Sequence, residues 1–121
     1  MKIAIHQPQY HPWINYYRKI AKADIFVYLD NVQFQKNGLQ NRNKIKTVSG
    51  ESWITIPIKQ SLVQKISAVE TQGVKWKKKH FKTISQNYKS SAQLFRDLYA
   101  NVYEDNVSQM SKINRRITTV K

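Results

Sequence analysis

The sequence predicts an α/β protein: an N-terminal β-α-β unit of a Rossmann-like three-layer sheet, then a short β-hairpin, then two to three helices. Three observations carry that prediction. Two apolar runs, Ile3-Ala4-Ile5 and Ile25-Phe26-Val27-Tyr28-Leu29, bracket a stretch with helical period. Ile54, Ile56 and Ile58 alternate with Trp53, Thr55 and Pro57 at a period of two, and from Lys75 onward the helical period returns.

The first helix is read from Trp13, Tyr16, Tyr17, Ile20 and Ala21, which share one face while Asn15, Arg18, Lys19 and Lys22 take the other. Pro12 suits the first helical position, where a missing N–H costs nothing, and His11 then lies near the N-cap. The run 25–29 lacks alternation and is rich in β-formers, as expected of a parallel strand covered on both faces. A right-handed crossover opens the turn after the first strand at the carboxyl edge of the sheet, where open α/β sheets bind ligands. Residues 31–43 show no period and are long for a turn, which marks a functional connection. Residues 44–48 and 52–58 are short strands about a turn containing Gly50, and Pro57, having no N–H for a ladder, belongs at an edge or a strand end. Residues 60–73 fit a short strand or an irregular crossing. Trp76, His80, Phe81, Ile84 and Tyr88 form one helical stripe, and Leu94, Phe95, Leu98, Tyr99, Val102 and Tyr103 a second. Val107, Met110, Ile113 and Ile117 form a third, with Asp105 or Asn106 as the expected cap.

Composition narrows the function classes. The 121 residues suit a single α/β domain, long enough to bury roughly two thirds of the unfolded surface. There is no cysteine, hence no disulfide framework and no thiolate chemistry. No run approaches the ~20 apolar residues of a membrane span and no leader pattern opens the chain, so a soluble cytoplasmic protein is expected. The net charge of +14, from 21 Lys and Arg against 7 Asp and Glu, is concentrated in residues 36–46 and 75–89. Such a field suits nucleic acid, nucleotide phosphates or anionic lipid, and equally a solvated face.

Candidate chemistry concentrates at the first turn. His6 and Gln7 end the first strand, where a histidine acts as a general base or holds an anionic oxygen, or else simply caps the strand. The N–H groups around Trp13 and Ile14 present the positive end of a helix to a phosphate. Asp30, ending the second run, accepts from a sugar hydroxyl, serves as a base, or caps a turn. The only glycines are Gly38, Gly50 and Gly73, so neither a dinucleotide fingerprint nor a phosphate-cradling loop is present. Scattered histidines and absent cysteines give no metal site, and no cofactor is indicated. His80 lies on an apolar stripe and reads as a core histidine, and Trp76 and Phe81 as core aromatics rather than stacking platforms.

His6-Gln7-Pro8-Gln9-Tyr10, Pro12-Trp13, Tyr16, Lys19-Ile20-Ala21, Asp24, Phe26-Val27, Leu29-Asp30, Val32-Gln33-Phe34, Asn41-Arg42-Asn43 and Ile45-Lys46 together resemble the WbqC-like protein family. Trp76, Lys78-Lys79-His80, Ile84 and Gln86-Asn87-Tyr88 resemble its second block. The resemblance implies a bacterial protein encoded with enzymes of surface-polysaccharide (O-antigen) synthesis. It also implies a chain that is the N-terminal portion of a longer architecture, and an apolar residue where His11 stands. The expectation is a transferase-type enzyme on a nucleotide-linked or amino sugar. In it His6, Gln7 and Asp30 are catalytic, and Tyr10, Trp13, Gln33, Lys36, Asn41, Arg42 and Lys46 bind substrate. A basic nucleic-acid-binding module is the alternative, and a scaffold for acidic partners or a membrane surface a third.

Overall fold

The computed structural model describes residues 1–35, 38–59 and 64–119. Strand β1 (Ile3–His6), helix α1 (Ile14–Lys22) and strand β2 (Ile25–Tyr28) form the expected β-α-β unit, with β1 and β2 parallel and Ile3 opposite Ile25. Strands β3 (Arg42–Thr47) and β4 (Gly50–Thr55) form an antiparallel hairpin in which Thr47 faces Gly50 across the two-residue loop 48–49. Gly50 has φ +107, a conformation glycine adopts without a Cβ clash. Helices α2 (Lys75–Asn87), α3 (Ala92–Glu104) and α4 (Met110–Thr118) follow, with short 3-10 turns at Ile66–Ala68 and Lys89–Ser91.

The described strands form two separate pairs rather than the continuous three-layer sheet the sequence suggests. Among the described residues the hairpin satisfies its ladder locally, and β1 pairs only with β2. The hairpin and the last three helices make the principal core. Ile45 and Ile54 from the inner face of β3/β4 pack with Ile56, Trp76, Ile84, Val102, Tyr103, Ile113 and Ile117. At ~25 cal/mol per Å2 of apolar surface removed from water, each of these side chains contributes roughly 1.5–3 kcal/mol before chain entropy is set against it. A smaller cluster of Ile66, Val69 and Met110 gathers Val32, Phe34 and Ile58 where the 3-10 turn meets α4. His80, Trp76 and Ile84 are buried as the helical stripe predicts. Pro57 follows the end of β4, and the segment around residues 64–71 crosses the molecule through single bridges Gln33–Lys65, Ile58–Thr71 and Glu70–Gln109.

Several expectations are corrected. The β1–β2 sheet is not covered on both faces: Ile3, Ile5, Ile25 and Val27 are 61%, 53%, 45% and 41% exposed. Of α1 only Tyr16 is buried, and the helix begins at Ile14, two residues later than Pro12 suggests, with Trp13 as N-cap. His11 does not cap it; at φ 44 it turns the chain in the left-handed region before Pro12. Helix α4 begins at Met110 with Gln109 as N-cap, because Asp105 is engaged elsewhere. The Asp105 carboxylate accepts from buried Lys77 Nζ at 2.6 Å and also pairs with Arg116, tying α2 and α4 to the end of α3. Burial and the Arg116 guanidinium bring Lys77 down to about 8, which leaves it charged at neutral pH.

Candidate functional site at the carboxyl edge

His6 ends β1 and its carbonyl accepts from Leu29 N at 2.8 Å, so the last residues of both parallel strands leave the sheet side by side. This brings His6, Gln7 and Asp30 to one edge, as the sequence suggests for a β-α-β unit. The His6 ring meets the Tyr16 ring edge-on at 4.7 Å, and its Nδ1 lies 3.1 Å from the Gln7 carbonyl. Tyr16 Oη donates to that same carbonyl at 2.8 Å, and burial raises the Tyr16 phenol far above its ordinary pKa, so it stays a donor. The Gln7 side chain is positioned from behind: its Oε1 accepts from Gln40 Nε2 at 2.6 Å, and the Gln40 carbonyl accepts from Asn114 Nδ2 at 2.6 Å. Gln40 and Asn114 are buried, and their side-chain oxygens have no hydrogen-bond partner among the described residues. The Asp30 carbonyl accepts from Ser67 N at 2.7 Å, which fixes its backbone against the crossing segment.

The turn between this edge and α1 dives into the core. Asn43 Nδ2 donates to the Tyr10 and His11 carbonyls at 3.2 and 2.8 Å, and Tyr10 N donates to Leu39 O at 3.0 Å. Tyr10 is fully buried, its hydroxyl 2.8 Å from His80 Nδ1 and 2.7 Å from Tyr103 Oη. His11 Nε2 lies 2.6 Å from Tyr103 Oη, and His80 Nε2 lies 3.0 Å from Thr55 O. A carbonyl only accepts, so His80 carries its proton on Nε2. Burial lowers both histidines to about 4, so His80 is neutral and its Nδ1 must accept from Tyr10. Tyr10 then accepts from Tyr103, and Tyr103 from the Nε2–H of His11. Every proton in this chain has one place, fixed from the Thr55 end.

The expected substrate-binding residues therefore divide. Tyr10 has its hydroxyl committed to His80 and Tyr103, inside the core. Asn41 is buried and joins Ile56 through both its side chain and its backbone, closing the start of β3. Arg42 and Lys46 lie on the outward face of the hairpin, where the Arg42 guanidinium sits 4.2 Å above the exposed Trp53 ring and Lys44 Nζ 5.2 Å from it. Trp13 is 63% exposed at the start of α1, and Gln33 is exposed in its bridge with Lys65. Lys36 lies outside the described residues. Gln40, Asn114, Tyr103 and the close involvement of His11 are not singled out by the sequence reading. Asn114 had a legible signal: it occupies a core position of the stripe Met110, Ile113, Asn114, Ile117, where a polar residue needs a reason.

The turn, its clamp and the second block near His80 all fall within one matched region, residues 7–120, of the WbqC-like protein family. The chain belongs to the WbqC-like protein family. A similar protein, the uncharacterized protein Rv1507c of Mycobacterium tuberculosis, is 37% identical over 121 residues, covering 96% of this chain and 52% of the relative. The chain thus spans about half the length of the curated relative it matches. No solved structure shows a significant match. Among the described residues of this WbqC-like chain, no helix is long and apolar enough to cross a membrane. Among those residues, no group of three or more His, Asp or Glu is placed to hold a metal ion.

Proposed function

We propose that this WbqC-like chain contributes the sugar-nucleotide-binding part of a transferase-type enzyme, acting on a nucleotide-linked or amino sugar in bacterial surface-polysaccharide synthesis. The observation that carries the reading is the convergence of His6, Gln7 and Asp30 at the carboxyl edge, where Gln40 holds the Gln7 side chain and Asn114 holds the Gln40 backbone. Amides and a carboxylate recognise hydroxyl groups by direction and number, which is what a sugar offers. His6 takes a proton from an attacking hydroxyl, and Asp30 orients the sugar. The α1 N-terminus carries neither a side-chain cap nor an acidic residue in its first turn, which leaves its N–H groups for phosphate. The test is calorimetry with a panel of sugar nucleotides. His6→Ala and Gln7→Ala are each expected to weaken binding at least about tenfold, which corresponds to ~1.4 kcal/mol. Unchanged affinity in both variants removes the proposal.

A second reading rests on the outward hairpin face, where Arg42, Lys44 and Lys46 run beside exposed Trp53. A basic strand with a stacking ring suits single-stranded nucleic acid. That reading predicts an affinity falling steeply as salt rises, and a loss of roughly 1–3 kcal/mol in Trp53→Ala. A flat salt response eliminates it.

A further inference from the structure

Asn15, Arg18, Lys19 and Lys22 stand at positions i, i+3, i+4 and i+7 of α1 and so share one stripe of the helix. Together with Lys2, Ile3 and Ala4 they line a cleft of about 460 Å3 between helix and strand. Small-molecule sites span roughly 300–1,000 Å3, so the cleft has room for a compact ligand. Its walls are tied to one another. Lys19 Nζ donates to the Ile5 carbonyl at 3.0 Å, which joins α1 to β1. The Lys2 backbone N–H donates to Asp24 Oδ2 at 2.6 Å, and the Lys2 carbonyl accepts from the Asp24 and Ile25 N–H groups at 2.8 and 3.2 Å. One cation is thus held by its head and another by its backbone, so little ordering is left for a ligand to impose.

The charge in this cleft is of one sign. Among the described residues no carboxylate lines it, and none of Lys2, Arg18, Lys19 and Lys22 forms an ion pair, whereas Lys44, Lys59, Lys77 and Arg116 each have an acidic partner. Asp24, close by in the chain, is turned to the Lys2 backbone. The negative end of α1 accounts for Lys19 and Lys22 in its last turn. It does not account for Arg18 or Lys2, and Arg18 and Lys22, four residues apart, repel each other. We infer that the cleft is a binding site for a compact phosphate-bearing anion of two or more negative charges, separate from the carboxyl edge at the other end of β1. The Arg18 guanidinium takes two phosphate oxygens through its planar fork, and Lys2 and Lys22 neutralise the remaining charge. Lys19 keeps two N–H groups beyond the one given to Ile5, and Asn15, whose Oδ1 accepts from Arg18 at 3.4 Å, keeps its amide N–H groups as donors. A soluble diphosphate and a phospholipid headgroup share this chemistry.

The experiment titrates the intact chain with inorganic pyrophosphate by calorimetry, and with phosphatidylcholine vesicles with and without phosphatidic acid by co-sedimentation. One-to-one pyrophosphate binding identifies a soluble ligand, and vesicle binding that requires phosphatidic acid identifies a headgroup. In either arm the double variant Arg18→Glu/Lys22→Glu, at exposed positions and checked for native circular dichroism, is expected to weaken binding at least about tenfold. Lys78→Glu/Lys82→Glu, exposed on α2, alters the net charge equally and is expected to change it by less than about twofold. In the unaltered chain, pyrophosphate is expected to shift the amide resonances of Lys2, Ala4 and Lys19, a readout that does not depend on any variant folding. The inference is overturned by any of three results: no binding in either arm; equal weakening by the two double variants, which makes the attraction one of general charge; or pyrophosphate binding that His6→Ala abolishes and Arg18→Glu/Lys22→Glu spares, which places the anion at the carboxyl edge instead.

Discussion

His11 and His80 are two residues whose proton affinity the fold lowers into the acid range. Both are brought down to about 4, burial being the larger cause for each, with the charge of His80 acting further on His11. Around the second histidine, Thr55 O favours the charged form and Lys79 opposes it. In the unfolded chain each returns to about 6.5. Between those values the unfolded chain binds more protons than the folded one, so stability is fully present above pH ~6.5 and falls as pH drops toward 4. The first of the two to charge costs on the order of 3 kcal/mol over that window. Urea denaturation at pH 7 and pH 4.5 should show the midpoint falling, and the fall should shrink in His80→Gln. The sequence placed His80 in the core by its position on the Trp76–Ile84 stripe. It gave no such lead for His11, because its partner Tyr103 is distant in the chain and only the folded backbone, with φ 44 at His11, aims the imidazole at it.

Among elements, those whose pattern is local were legible. Helices α2 and α3 follow their apolar stripes except at Tyr88 and Leu94, which are exposed, and the hairpin follows the alternation through Ile54 and the Gly50 turn, with β4 ending at Thr55 before Ile56. Gly50 is a sharp test of that turn. A Cβ there would meet no atom within 4 Å, so the cost of Gly50→Ala is purely conformational. At φ +107 it should destabilise by about 1 kcal/mol in thermal or urea unfolding, leaving the core unchanged. Boundaries governed by distant partners were less legible. Asp105 reads as a helix cap in sequence but is drawn to Lys77 and Arg116, and α4 starts five residues later. The β2 run reads as a strand buried on both faces, while the structure covers only the α1 side.

At the scale of the whole molecule, the α/β class and the β-α-β opening were evident from the sequence, and the separation into two strand pairs was not. Pairing partners are a non-local choice, and neither apolar run records which edge stays open. His6, Gln7 and Asp30 were legible as a group because a parallel crossover necessarily gathers the ends of its strands. The amides of Gln40 and Asn114 behind them come from a loop and the last helix, and no period announces them.

The linkage from Tyr10 to Tyr103 bears on how the chain acquires its shape. Those two hydroxyls are separated by 93 residues, and the Gln40–Asn114 and Tyr28–Thr118 bonds span 74 and 90. At ribosomal rates of about 5–20 residues per second, the N-terminal turn waits roughly 5–20 s before the side chains that lock it have even been synthesised. During that interval the partners that bury Tyr10 and hold Gln40 and Tyr28 are missing, so the N-terminal turn takes its final packing only once α3 and α4 have been made.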